Sequence, residues 1–176
     1  MKSARAVACC ALMAAALAGA VGMLAQSAPA SQDARRLIGT WRLIGYDSSD
    51  PDARQVRGAA PTGLLYYDST GHMAVQIAPD RPRRKFTGPV SGMFTGPGPT
   101  PAEALDAISG YAAYFGTYSV DERAKTVTHK RLGNLNPGAL GDFVRRYEFR
   151  NNDELVLVPL ERTDLRSVRL SWKLLK

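Results

Sequence analysis

From residue 40 onward the chain is cut at short, fairly even intervals by clusters of turn-forming residues, and that spacing limits most how it can fold. Asp68-Ser69-Thr70-Gly71 separates the apolar-rich segments 63–67 and 72–77. Asp121-Glu122-Arg123-Ala124 separates 115–120 from 126–131, and Arg150-Asn151-Asn152-Asp153 separates 143–149 from 155–159. Each is a hairpin pattern, two strand-like runs around a polar or glycine-containing turn. With residues 40–46 before the first hairpin and 168–174 after the last, the predicted strands number eight. The expected class is all-β, an eight-stranded antiparallel barrel. Eight is the number at which a closed antiparallel barrel just encloses side chains or one small ligand.

Two stretches interrupt the series. Residues 47–61, rich in Asp, Ser, Pro and Arg, read as a long polar loop. Residues 78–100 carry five prolines and four glycines, too many for regular structure. One short helix is predicted next, over 101–111, as a single insertion between the third and fourth strands. Thr100 is its N-cap, Pro101 its first residue, and Glu103 completes a capping box. Ala104, Leu105, Ile108, Tyr111 and Ala112 recur at helical spacing, with Gly110 weakening the pattern. This helix is placed to cap one end of the barrel, with the Pro/Gly-rich stretch before it as a lid.

The first 30 residues read as a removable signal peptide. Lys2 and Arg5 precede an apolar, Ala-rich run over residues 6–24, and Ser27-Ala28-Pro29-Ala30 ends in the small-x-small pattern of a cleavage site. A retained membrane anchor is the alternative, because the run approaches the about 20 residues that a spanning helix needs. Cys9 and Cys10 lie inside the run rather than directly after it, where a lipidated cysteine belongs. Cleavage after Ala30 leaves residues 31–176 as one barrel domain with no cysteine, hence no disulfide or thiolate chemistry. Removing Lys2 and Arg5 from 23 basic residues leaves 21 against 16 acidic ones, a net charge of +5. The expected location is periplasmic or extracellular.

The basic run Arg81-Pro82-Arg83-Arg84-Lys85 reads as a solvated loop, with weak contact to an anionic membrane surface open to it. Nucleic acid is not an expected partner, since no recognition helix or aromatic RNA-binding signature is present. Metal is not expected either. His72 and His129 are the only histidines, with no thiol beside them, and the acidic residues fall mostly in turns. Nucleophile-elbow and phosphate-loop motifs are missing, and no cofactor is implied.

Further residues carry a family resemblance. Gly39-Thr40-Trp41 opens the first strand, Gly63-Leu64-Leu65-Tyr66-Tyr67 with Gly71-His72-Met73 follows, and Tyr111 to Asp121 forms the central block Tyr-Ala-Ala-Tyr-Phe-Gly-Thr-Tyr-Ser-Val-Asp. Thr126-Val127-Thr128-His129, the Asn136-Pro137 turn, and Arg145 to Phe149 leading into Leu155-Val156-Leu157 come next. In these features and their order, the chain resembles the lipocalin-like domain family, similar to but distinct from true lipocalins, over nearly all of residues 37–176. The resemblance implies a calycin-like barrel around a small apolar molecule, with the Trp41 indole closing the floor. It names no ligand, and the same fold serves carriers and a few enzymes. True lipocalins also carry a late basic residue over the first-strand Trp; here Arg169 and Lys173, flanking Trp172, are the candidates.

Strand alternation assigns the interior. Trp41, Leu43, Met73, Val75, Ile77, Leu155, Leu157, Val168, Leu170 and Trp172 point inward, joined by Phe143, Tyr147 and Phe149. Arg145 shares that last face. An inward guanidinium needs acceptors, either a barrel carboxylate or carbonyl near the rim, or an oxygen of a bound ligand. His129 shares a face with Val127 and Arg131 and is either a satisfied barrel residue or a base. The tyrosines Tyr66, Tyr67, Tyr111, Tyr114 and Tyr118 either pack the core or line a cavity mouth.

The leading expectation is an exported monomer that holds a small apolar or amphipathic molecule non-covalently in the barrel, with Arg145, His129, Tyr114, Tyr118, Tyr147, Met73 and Phe143 as candidate contacts. One rival is a cofactor-free isomerase or cyclase using His129, Arg145 and Tyr118. The other is a solid barrel acting as an envelope interaction module. A cavity larger than about 300 Å³ favours the first, and a barrel packed solid excludes the first two; the enzyme also needs His129 and Arg145 to converge on one void.

Overall fold

The computed structural model describes residues 31–88, 98–161 and 167–176. The expected signal peptide, residues 1–30, and the middle of the Pro/Gly-rich stretch lie outside these. Eight strands are present: β1 (Gly39–Ser48), β2 (Thr62–Tyr67), β3 (His72–Ala78), β4 (Ala112–Asp121), β5 (Thr126–Asn134), β6 (Gly141–Asn151), β7 (Glu154–Pro159) and β8 (Val168–Leu174). Each pairs antiparallel with the next, and β8 returns to β1 with Trp41 opposite Leu174 and Ser48 opposite Val168, closing the barrel. The predicted fold class is borne out.

Closure of so small a barrel requires sharp local bending, and register shifts supply it at Leu43/Gly45, Phe115/Gly116 and Phe149/Asn151. Gly116 shows why the residue type matters. A Cβ there would sit 1.9 Å from the Lys130 carbonyl oxygen, so only glycine lets β4 and β5 approach at the bend.

The helices differ from expectation. The capping box on Thr100 and Glu103 forms as read, with Pro101 in the first turn, but the helix spans Pro101–Ile108 and stops before Gly110, whose φ of 75° leaves the helical region. Two further helices were not expected. Helix α1 (Gln32–Leu37) precedes β1, capped by the Ser31 hydroxyl, which accepts from the Ala34 amide at 3.2 Å. Helix α2 (Pro51–Arg57) breaks the supposed polar loop at 47–61. The Asp50 carboxylate accepts from the Asp52 amide, Pro51 supplies a preset φ, and Gly58 ends the helix at φ 82°. The 101–108 helix is therefore α3, the third helix among the described residues.

One end of the barrel is a packed floor. Leu37, Trp41, Leu65, Tyr67, Met73, Val127, Tyr147 and Leu155 are buried there, with Phe149 packed against them. Trp41 is 0% exposed and donates its indole N–H to the Leu37 carbonyl at 2.8 Å, fastening α1 across the opening. Asp33 accepts from Lys125 Nζ and Tyr147 Oη, each at 2.7 Å, and its own amide donates to Glu122. Burial alone would raise the Asp33 pKa; these donors and the nearby cations outweigh it and hold the carboxyl below its ordinary 3.8. Neither Arg169 nor Lys173 is seen to cover Trp41. Lys173 pairs with Asp153 at 2.9 Å, and Arg36 lies 3.9 Å above the ring of Phe149, which is 6.5 Å from Trp41.

Candidate ligand-binding site

At the opposite end the barrel is hollow. A cavity of about 290 Å³ opens among the ends of β1, β3, β5 and β7 and the starts of β4, β6 and β8. Its apolar wall is Val75, Ile77, Leu157, Val168, Leu170 and Trp172, all inward positions of their strands. The rim adds Tyr46, Ala112, Tyr114 and Pro159, and α2 leans Ala53, Val56 and Arg57 over the mouth. The volume falls just short of the expected ~300 Å³, at the foot of the range for small-molecule pockets, about 300 to 1,000 Å³.

Arg81 sets the position of α2. Its guanidinium donates to the carbonyls of Val56 at 3.1 Å, Asp106 at 3.0 Å and Ser109 at 3.1 Å, and to Asp106 Oδ1 at 2.8 Å. One side chain thus joins α2 to α3, while Glu103 accepts from the Thr87 amide and hydroxyl, each at 2.9 Å. Those hydrogen bonds, led by the Thr100 amide, lower the Glu103 pKa to about 2. The basic run is accordingly not uniformly solvated. Arg81 is a tie within the fold, and Arg83, Arg84 and Lys85 remain exposed.

Three guanidinium groups border the cavity: Arg57, Arg131 and Arg145. Arg145, only 6% exposed, donates to Glu161 Oε1 and, at 3.1 Å, to its neighbour's carbonyl on Val144. Arg131 is held differently. Its Cζ lies 3.5 Å from the Phe143 ring centroid and 4.3 Å from that of Tyr114, a guanidinium between two aromatic faces. Arg57 lies 5.2 Å from the centre of the Tyr46 ring. Among the described residues neither Arg57 nor Arg131 has a carboxylate partner. Burial, with Arg145 nearby, moves the Arg131 pKa down from its ordinary value.

The profile of the lipocalin-like domain matches residues 38–173 of this sequence. The chain belongs to the lipocalin-like domain family. Among solved structures it is similar to bovine odorant binding protein in complex with a selenium-containing odorant, at 14% identity and a TM-score of 0.42, covering 86% of this chain and 78% of that one. It is also similar to a redesigned β-barrel, at 11% identity and a TM-score of 0.42 over 81% of this chain and 95% of that one. A de novo designed fluorescence-activating β-barrel matches at 11% identity and a TM-score of 0.41 over 82% and 99%. A comparison with curated protein sequences finds no match.

Within this lipocalin-like domain, the residues singled out from the sequence fall into two groups. Arg145 and Tyr114 line the cavity. Phe143 reaches it indirectly, through the stack with Arg131. Met73 and Tyr147 are buried in the core, and the Tyr118 hydroxyl donates at 2.7 Å to the Asp68 carbonyl, at the hairpin of the floor end. His129 is 0% exposed and lines no part of the cavity. Its Nε2 lies 2.5 Å from Tyr67 Oη and its Nδ1 3.1 Å from Tyr114 Oη. A neutral imidazole has one donor and one acceptor, which these two hydroxyls satisfy. Burial first, then Arg145 and Arg131, push the His129 pKa well below 6.5. His129 and Arg145 therefore do not meet on one void.

Sequence reasoning missed Arg57, Arg131, Tyr46 and Val56 of the lipocalin-like site. For α2 the signal was Asp50-Pro51, an N-cap followed by a helix-starting proline, inside a polar stretch. For Arg131 it was alternation, which puts it on the inward face with Val127 and His129.

Proposed function

We propose that this lipocalin-like domain is an exported monomer that binds a small apolar or amphipathic molecule non-covalently in the open end of its barrel. The observation carrying the reading is the 290 Å³ cavity walled by Val75, Ile77, Leu157, Leu170 and Trp172 above a packed floor. A desolvated apolar wall gives affinity, and a few polar groups at the rim orient the guest. Acid–base chemistry has less support, because the sole buried histidine is sealed between two tyrosines away from the cavity. Export rests on the leader pattern of residues 1–30, with the periplasm or the extracellular medium as destination. Exposed Arg83, Arg84 and Lys85 suit weak contact with an anionic membrane surface.

The test is native mass spectrometry of protein purified from its own host, followed by solvent extraction. The expected result is a monomer beginning at Ser31 that retains a small organic molecule. Leu157→Trp, which fills the cavity, is expected to abolish retention while the protein stays folded. Equal retention by Leu157→Trp would place the guest elsewhere and refute the reading.

A further inference from the structure

Three polar atoms of the described residues are buried without a hydrogen-bond partner: Arg57 Nη1, Arg131 Nε and Trp172 Nε1. All three are N–H donors, and all three residues border the one cavity. Buried donors are nearly always satisfied, so three of them around one void mark the place of an acceptor supplied from outside the chain. Their charge sharpens this. Among the described residues the cavity is bordered by three guanidinium groups and no carboxylate, and Glu161, whose charge also reaches Arg131, is hydrogen-bonded to Arg145. The stack between Phe143 and Tyr114 fixes the plane of Arg131, so its N–H edge is presented with little ordering left to do on binding.

We propose that the cavity takes an amphipathic carboxylate, its acid group between Arg57 and Arg131 and its apolar body against Val75, Ile77 and Leu157. This rests on the proposed binding function and narrows its ligand class. A carboxylate offers the acceptor-only oxygens that unpaired guanidinium groups require, and Arg forks match it at two points. Inside a partly enclosed cavity such a pair is screened far less than at the surface. The position also suits entry. A second cavity of about 510 Å³, reaching Ile108 and Leu135, borders the same Arg57, Tyr114 and Arg131 from outside, so the two arginines stand where an acid would pass from the outer space to the inner one.

Two matched pairs of probes test this by calorimetry on the chain freed of bound molecules: octanoate against octanamide, and 2-naphthoate against 2-naphthamide. The acids are expected to bind about 10- to 100-fold more tightly than the amides, the range of charge-assisted hydrogen bonds. Arg131→Gln and Arg57→Gln, two variants in separate elements, are each expected to shrink that ratio toward one. Arg146→Gln, on the outer face of β6, leaves it unchanged. If amides bind as well as acids, the carboxylate assignment falls and the binding function stands. A preference for acids that survives both substitutions overturns the assignment of these arginines. Failure of every probe to bind overturns both readings.

Discussion

Mild acid should begin to destabilise this barrel through one buried histidine. His129 is fully buried, hydrogen-bonded at both ring nitrogens to tyrosine hydroxyls, and faces the cations Arg131 and Arg145. Burial first, and then the two cations, disfavour the imidazolium, so the folded pKa lies well below the ordinary 6.5. Above about pH 6.5 neither state holds the proton, and this residue leaves stability independent of pH. Below it, the unfolded chain takes up a proton that the folded imidazole refuses. Stability then drops by about 1.4 kcal/mol per pH unit until the lowered folded pKa is reached. Between about pH 7 and pH 5 the loss from His129 alone is at most about 2 kcal/mol, against the 5–15 kcal/mol typical of a domain. Urea denaturation across that interval measures it, with His129→Gln as the reference, since glutamine retains a donor and an acceptor but does not titrate. The wild type is expected to lose more stability than the variant over the interval, by up to about 2 kcal/mol. Equal slopes would mean that His129 protonates freely in the folded state, and the sealed cluster described above would be wrong.

Other consequences follow from the floor and the latch. Trp41→Ala removes a fully buried ring and the bond to Leu37, and should lower stability by about 3–5 kcal/mol in urea melts. Asp33→Asn weakens the hold of Lys125 and Tyr147 on α1, so hydrogen exchange should speed in α1 while the strand amides stay protected; in the wild type this contribution is present above about pH 3.8 and lost as pH falls through the lowered Asp33 pKa. Unchanged protection of α1 would contradict it. Arg81→Ala deprives Val56, Asp106 and Ser109 of a shared donor and should quicken limited proteolysis around α2 without opening the barrel. Gly116→Ala, with its Cβ 1.9 Å from a carbonyl oxygen, should destabilise by about 1–3 kcal/mol or more, read as a lower thermal midpoint.

The strands were legible because each signals itself locally, through alternating apolar residues and through turns such as Asp68-Ser69-Thr70-Gly71. The same holds for α3, whose capping box is written in Thr100, Pro101 and Glu103. Helices α1 and α2 were not, because six or seven residues give too few turns for periodicity, and α2 buries no residue of its own. The site was harder still. Alternation places Arg131 and Arg145 inward alike, yet only tertiary structure brings Glu161 to one and aromatic rings to the other. Which of two equivalent arginines is free is a property of partners distant in sequence, and local pattern carries no trace of it. The cationic loop misled for the same reason, since Arg81 looks like Arg83 and Arg84 until Asp106 is folded beneath it.

The seam of the barrel also bears on how the chain reaches its native state. β1 is hydrogen-bonded on one side to β2 and on the other to β8, so Trp41 meets Leu174 across nearly the whole domain. Closing that loop is the entropically dearest step in the fold, and topologies dominated by such contacts fold slowly. A chain cut before Val168 keeps seven strands but leaves both β1 and β7 as open edges, with the cavity wall missing Leu170 and Trp172. Open edges of this kind recruit other chains. The last seven-residue strand is thus the clasp that covers both edges, and a chain cut before it is expected to aggregate where the full chain does not.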